Sequence, residues 1–577
     1  MVIALAVAAA PAFAKCQLQK FDEIPVTMRG PRPVIAAKVN GVEGHFLVDT
    51  GAFFSFLHPA AVKRFGLSLS PAPWGMSVNG LTGQVAVKVT RVKTFALLQP
   101  DFHNVDFLVD VDAADNGIDG IVGQNLLGFS DIEYDLGGGA IRVFKSVGCQ
   151  NAELAYWAQG QSVSMLSIDP ASPQADRIRG EASVNGARIH AIFDTGSPYS
   201  YLTLHGAGRA GLARTDPAVT SGGLVAGAGG RFVDSWIGPV KSFELGGEKV
   251  ENTRLRFAGF DMDDADLNLG DDFFLSHRIF VARSQNRMYF TYNGGPVFNL
   301  QHTGQASAPA PSIAGGSPAP IIDVPTDAAG YARRAAAFAA RREFEAAIAD
   351  DTQAIQLEPQ DATHFFDRGV ARLQNHQPII AMEDFGQALK LKPDMSGAMM
   401  MRGELRLVSH DDAGAKADFD AAIRVDPSLS VRVAETYARA GRYDTADAAF
   451  SDWLTTHPKD PATPGVLAAR CRSRAFWGQK LDGALADCDQ ALRAAPHISE
   501  VLASRGLVKL RLSQLDPAIA DFDAAIQLQP KASWALYGRG VAELRKGEKD
   551  KGQDDIAAAT AITPGLAERA AKIGLAP

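Results

Sequence analysis

The chain has 577 residues, too many for one growing hydrophobic core, so several domains follow from length alone. With 46% hydrophobic and 21% charged residues it has the composition of folded globular protein, which excludes a wholly disordered or wholly membrane-embedded chain. A net charge of -8 is small for this length and no dense Lys/Arg stripe occurs, which argues against a nucleic-acid partner.

Residues 1–14, MVIALAVAAAPAFA, are apolar and end in Ala12-Phe13-Ala14, the small-x-small pattern of a signal-peptidase site. The expectation is a signal peptide over 1–14 and export to the periplasm or cell envelope, although no basic residue opens the segment. The run is shorter than the roughly 20 apolar residues of a spanning helix, and Lys15 before Cys16 argues against lipid attachment. No transmembrane segment is expected.

The four cysteines fall as two pairs, Cys16 with Cys149 and Cys471 with Cys488. In an oxidising compartment both pairs are candidate disulfides, the first tying together the two ends of one lobe. Four buried thiols are the alternative. No CxxC and no His/Cys cluster at zinc-ligand spacing occurs, so neither a metal site nor a cofactor is expected.

Between residues 21 and 300 the chain contains an internal repeat. Ala37–Leu57 aligns without gaps on Ala182–Leu202 at an offset of 145, with ten of 21 positions identical. The shared residues include Asn40/Asn185, Gly41/Gly186, His45/His190, the Asp-Thr-Gly triplets 49–51 and 194–196, Ser55/Ser200 and Leu57/Leu202. Each segment reads as a β-hairpin turning at Asn-Gly, a pair that accepts positive φ, with the second strand running into the Asp. An apolar-apolar-Gly motif follows each triplet: Ile121-Val122-Gly123 lies 74 residues after Asp49, and Leu269-Gly270 ends 76 residues after Asp194. Glycine there suits a strand that passes close to another loop. Two Gly-bearing segments, 77–83 with Gly80 and Gly83 and 222–230 with Gly227, are candidate flap hairpins. One Asp-Thr-Gly is an ordinary turn sequence. Two, with a shared strand before and a shared glycine after, are not explained by turns.

These duplicated motifs resemble the aspartic peptidase family, in particular its retropepsin-like bacterial members with two halves fused in one chain. The resemblance implies a mostly-β, bilobal domain, with lobe 1 over 15–150 and lobe 2 over 151–300. It implies Asp49 and Asp194 as a catalytic dyad, Thr50 and Thr195 as a brace between the two loops, and Gly51 and Gly196 as the residues that permit the tight turn. Ala52 follows the first triplet, as in retropepsins, and Ser197 the second, as in pepsins. Asn268 departs from the pattern, being polar where the motif before Gly270 is usually apolar.

Peptide hydrolysis by this route needs one carboxylate to accept a proton from water and one carboxylic acid to donate to the scissile carbonyl. Two neighbouring aspartates sharing one proton supply both. One Asp per half explains why the duplication is needed. A flap closing over an extended polypeptide substrate would exclude solvent and pair with its backbone. The expected activity is therefore aspartic-type endopeptidase. The alternative is a catalytically silent peptide-binding or scaffold protein of the envelope, against which the two intact triplets count. His45 and His190 are read as packing or surface residues.

Residues 301–325 shift to Pro, Ala, Ser and Gly and read as a linker. From 326 to 577 the pattern is helical, with prolines at 359, 393, 427, 458, 496, 530 and 564, spaced 34, 34, 31, 38, 34 and 34. This period, with helix-closing segments such as AMEDFGQALKLKP and AIADFDAAIQLQP, resembles the tetratricopeptide family. The implied architecture is an all-α solenoid whose concave face binds a protein or peptide partner. Phe385, Phe419, Phe522 and Cys488 share one core position, and the Asp before each of them is read as a helix-surface or packing feature rather than a ligand site.

Overall fold

The computed structural model describes residues 16–73, 78–80, 83–110, 117–170, 177–227, 232–262, 265–298 and 324–577. The leader 1–14 and most of the linker 301–325 lie outside them. The chain divides into two compact units, Met1–His376 and Gln377–Pro577.

In the first unit the internal repeat becomes two barrel-like sheets of like topology. In lobe 1 the hairpin Arg32–Val39 and Val42–Val48 continues in the order Gly120–Val122, Phe56–Leu57, Phe102–Asp110, Val87–Ala96, and the last strand returns to pair with the first through Lys38↔Ala96 and Val39↔Phe95. In lobe 2 the order is Arg179–Val184, Ala187–Phe193, Leu267–Leu269, Tyr201–Thr203, Glu248–Ala258, Phe232–Leu245, and Ala182↔Leu245 closes it. Both hairpins turn on Asn-Gly with positive φ at each residue: 50° and 86° at Asn40 and Gly41, 51° and 82° at Asn185 and Gly186. That turn matches the strand twist and pins the register, so each strand delivers its Asp at the same place.

Strands from both lobes build a third, six-stranded sheet in the order Gln17–Pro25, Ala140–Val147, Asp131–Asp135, His277–Ala282, Arg287–Tyr292, Ser164–Ser167. The lobes meet where Ile132, Glu133 and Tyr134 pair with Val281, Phe280 and Ile279. Arg278 Nε donates to Glu133 Oε1 at 2.9 Å across this seam, and Arg142 Nη1 donates to the same oxygen at 2.5 Å. Cys16 and Cys149 are disulfide-bonded just beyond the paired residues Gln17 and Val147.

The first three helices, Ala328–Ala340, Phe344–Leu357 and Ala362–Gln374, belong to this unit. Helix Ala328–Ala340 packs on strand Thr27–Arg29, Ala337 is part of the same apolar core, and Arg341 Nη1 donates to Leu275 O at 3.4 Å.

The second unit is helical throughout and carries twelve of the fifteen α-helices described from Ala328 onward. The aspartates that recur before the core Phe/Cys position are paired with arginine from the preceding helix. Arg402 grips Asp418 at 2.9 and 2.6 Å, Arg470 grips Asp487 at 2.8 and 2.7 Å, and Arg505 grips Asp521 at 2.8 and 2.7 Å. In the first unit Arg334 and Asp350 form the same two-pronged pair. Small residues face the aromatic: a Cβ at Gly506 would lie 2.6 Å from the Phe522 ring. Cys488 replaces that aromatic in one repeat and is disulfide-bonded to Cys471 on the preceding helix. The uneven spacings 31 and 38 arise because Ser430–Arg439 is a short helix of 10 residues, whereas Thr463–Trp477 has 15 and starts later after its proline than Ser396–Val408, of 13, does after Pro393.

Candidate active site

Each Asp-Thr-Gly follows directly on the strand its hairpin positions. Asp49 N donates to Val122 O at 3.0 Å and Asp194 N to Leu269 O at 2.8 Å, so each triplet is tied to the apolar-apolar-Gly strand of its own lobe. The threonines then lock the two loops together. Thr50 N donates to Thr195 Oγ1 at 3.1 Å and Thr195 N to Thr50 Oγ1 at 3.0 Å. Thr50 Oγ1 donates to Phe193 O at 2.7 Å and Thr195 Oγ1 to Val48 O at 2.8 Å. Both threonines are fully buried, and the four bonds leave neither hydroxyl unsatisfied.

This brace brings the carboxyls of Asp49 and Asp194 into hydrogen-bond contact. Asp49 Oδ1 accepts from Gly51 N at 2.9 Å and Ala52 N at 2.8 Å; Asp194 Oδ1 accepts from Gly196 N at 2.9 Å. The Asp49 carboxyl is held well above its ordinary range, first by removal from bulk water, then by repulsion from Asp194 and the hydrogen bond with it; the two backbone N–H donors oppose the rise. Two like charges this close cannot both ionise cheaply, so the pair retains a shared proton.

Gly51 and Gly196 are needed for a different reason from the tight turn expected of them. Neither has positive φ among the described residues. A Cβ at Gly51 would instead lie 2.5 Å from the Asp194 carboxyl, and one at Gly196 would collide with that of Asp49. Gly123 and Gly270 are also sites of close approach. Cβ atoms there would lie 2.7 Å from Phe54 O and 2.5 Å from Ser197 O.

Asn268 does not interrupt the second motif. Its strand pairs as the first does, Ile192↔Asn268 beside Tyr201↔Asn268, and its buried side chain donates through Nδ2 to Asp194 Oδ2 at 2.9 Å. Behind the dyad the lobes mirror each other. Gly123 N donates to Ser55 Oγ, which donates to Asn125 Oδ1 at 2.8 Å. Gly270 N donates to Ser200 Oγ, which donates to Asp272 Oδ1 at 2.6 Å. Burial pushes Asp272 up to about 6 against the pull of its Ser200 bonds.

One carboxyl near the dyad was not singled out from sequence. Asp271, which follows Gly270 where lobe 1 has Gln124, is fully buried, and neither of its oxygens has a hydrogen-bond partner among the described residues. Burial, then Asp194, Asp272 and Asp49, hold it well above the ordinary carboxylate range, with Arg32 opposing.

Of the candidate flaps, Gly80 and Gly83 face each other in the hairpin Val78–Gly80 with Gly83–Val85. Gly227 follows strand Thr220–Ala226, paired with the start of Phe232–Leu245. The tips, 81–82 and 228–231, lie outside the described residues. His45 is half-buried and His190 exposed, and neither bonds to the dyad.

The chain matches the aspartyl protease family twice, over residues 35–129 and 180–273, and the tetratricopeptide repeat family over 400–461 and 503–567. A search of curated proteins finds no significant match. Among solved structures, yeast Tom70 is similar at TM-score 0.33 and 18% identity, over 43% of this chain and 54% of that one. A tetratricopeptide repeat protein from Parabacteroides merdae is similar at TM-score 0.36 and 14% identity, over 43% and 98%. PilW, a type IV pilus biogenesis factor, is similar at TM-score 0.30 and 18% identity, over 37% and 97%. The chain thus spans little more than half the length of Tom70.

Proposed function

Because the chain joins a duplicated aspartyl protease domain to tetratricopeptide repeats, we propose that it is an aspartic-type endopeptidase of the cell envelope, with Asp49 and Asp194 as the catalytic dyad and the repeats as the protein-binding part. The observation that carries this reading is the threonine brace, which presses two carboxyls from separate lobes into one proton-sharing pair.

In this reading a water held between the carboxyls gives a proton to the ionised aspartate as its oxygen attacks the scissile carbonyl carbon. The protonated aspartate donates to the carbonyl oxygen, producing a neutral tetrahedral diol. Collapse reverses the roles: a hydroxyl proton returns to one carboxylate, the C–N bond breaks, and the amine leaves with the proton held by the other. Gly51 N, Ala52 N, Gly196 N and Asn268 Nδ2 hold the carboxyl groups in place. Export is supported by the apolar leader and by the two disulfides, which persist in oxidising compartments. Protein–protein interaction follows from the repeats, and no helix among the described residues is long and apolar enough to cross a membrane.

The test is turnover of denatured protein and of a peptide library between about pH 3 and 7, with and without pepstatin, by the native chain and by Asp49→Asn. The expected result is a bell-shaped profile on the acid side of neutrality and a loss of about a thousandfold or more in the variant. Equal inertness of both chains on every substrate would instead establish the silent peptide-binding reading.

A further inference from the structure

Outside the peptidase lobes, one turn of the first repeat carries an arrangement that neither hydrolysis nor repeat packing uses. Helix Phe344–Leu357 ends at Glu358, Pro359 follows, and Asp361 caps helix Ala362–Gln374. Asp361 N donates to Glu358 O at 3.2 Å and Thr363 N donates to Asp361 Oδ1 at 2.7 Å. These bonds fix the turn and leave Asp361 Oδ2 directed at His364, the third residue of the new helix.

His364 is the unusual member. Its side chain is only 6% exposed, and neither ring nitrogen has a hydrogen-bond partner among the described residues. A buried imidazole left this way is costly unless something not a hydrogen-bonding side chain satisfies it. Its Nε2 faces Glu358 Oε2 at 3.6 Å and Asp361 Oδ2 at 3.9 Å, and one donor atom from each of the three residues lies within 4.8 Å of the others. Those separations are too long for hydrogen bonds. The two distances from Nε2 lie within about half an ångström of the roughly 3.4 Å edge of a tetrahedron drawn around an ion bound at about 2.1 Å.

The neighbouring repeats supply the control. One and five periods on, the position of His364 holds Ala398 and Ala535, both fully buried, as the close packing of helices in a repeat requires. The same two repeats have Lys392 and Gln529 in place of Glu358, and Met395 and Ala532 in place of Asp361. Imidazole and both carboxylates therefore occur together at this turn, and all three are absent from those equivalents.

We propose that Glu358, Asp361 and His364 form a binding site for a divalent transition cation of the zinc type, which staples the turn between the two helices. One imidazole nitrogen and two carboxylate oxygens suit zinc better than magnesium or calcium, which take oxygen donors alone. The bond from Thr363 N orients the Asp361 carboxylate, as outer hydrogen bonds do in metal sites. With the Glu358 and Asp361 side chains 60% and 42% exposed, an ion can reach the site from solvent. The set is Glu-x2-Asp-x2-His across a proline turn, a spacing unlike the His and Cys pattern of a zinc finger. The site is independent of the peptidase reading.

The test uses the full chain, stripped with a chelator and titrated with zinc chloride by calorimetry, alongside thermal melting with and without zinc. Two variants accompany it: His364→Ala, which installs the residue that Ala398 and Ala535 show the packing accepts, and Glu358→Gln, an exposed change that removes one donor. The expected result is a zinc ion bound to the native chain with a rise in melting temperature, and at least tenfold weaker binding in each variant with that rise diminished. Absence of binding to the native chain, or binding within twofold of native in both variants, would overturn the proposal; the latter places the ion elsewhere or leaves His364 as a plain partner of the two carboxylates.

Discussion

Asp271 is the residue whose chemistry is least expected from its surroundings, a buried carboxyl without a hydrogen-bond partner among the described residues and beside three other aspartates. Its proton is held more tightly in the folded chain than in the unfolded one. As pH rises from the ordinary carboxylate value near 3.8, the unfolded chain releases this proton first, so the native state binds more protons and stability falls with pH. Asp272 adds a slope of the same sign between its ordinary 3.8 and about 6. Asp271→Asn cannot ionise and escapes the penalty. The variant is expected to be more stable than native at pH 7, by on the order of 1 kcal/mol, with the difference shrinking towards pH 4; denaturant midpoints measured across that range check it. Asn268 yields a kinetic prediction. Asn268→Ile copies Ile121 of lobe 1 and removes one donor from the Asp194 carboxylate. Activity is expected to fall about tenfold, the worth of one hydrogen bond, as read from kcat of the variant against native. Both residues were visible in the sequence, but their meaning was not. Asn268 read as a flaw in a motif because apolar periodicity cannot tell a polar residue aimed at a carboxylate from one that breaks a strand. Asp271 read as nothing, since burial and the lack of a partner belong to three dimensions.

At the scale of elements, the two lobes are joined by short, buried, reciprocal contacts more than by sequence-adjacent ones. Thr50→Val removes the donor to Phe193 O and the acceptor for Thr195 N in one step, leaving two buried groups unpaired. The expected loss is about 2–4 kcal/mol of stability, with activity reduced as the loops loosen, whereas Thr50→Ser keeps both bonds and stays near native. Unfolding curves and kcat for the pair separate these outcomes. The hairpins, their Asn-Gly turns and the glycines after each second motif were legible because local chemistry sets them: positive φ at the turn, no room for Cβ at the crossing. The repeat helices were legible from the proline period. The partners of the recurring aspartates were not recognised, although the signal was present: Arg334, Arg402, Arg505 and Arg539 each precede their Asp by 16 residues. A spacing that joins two helices carries no helical periodicity, so a search for i, i+3 and i, i+4 patterns passes over it.

For the whole molecule, the compositional boundary and the physical one differ. Sequence composition separates β-rich and helical parts at the Pro/Ala linker, yet the first compact unit runs on to His376 and takes in the first three helices. The reason is local to one face of one helix. Ala337 is fully buried in the core of the peptidase lobes, Ala336 and Ala340 pack against that core, and Arg341 reaches the carbonyl of Leu275 at the far end of the helix that begins with Asp271. A run of alanines looks alike whether it packs on a sister helix or on a sheet, so sequence could not assign that face. The packing makes a definite claim about cooperativity. Ala337→Asp places a charge where no partner waits, and is expected to destabilise the first unit by about 3 kcal/mol or more. Helices from Pro378–Leu391 onward have their own cores and should keep their stability. Hydrogen exchange of the full chain across a denaturant series reads both units at once. In the variant, amides of Ala328–Ala340 and of the peptidase strands should lose protection together at lower denaturant, while those of Ser499–Arg511 and Leu515–Leu528 stay at native values. Loss of protection confined to Ala328–Ala340, with the strands unchanged, would mean that the helix is only laid against the lobes and is no part of their cooperative core.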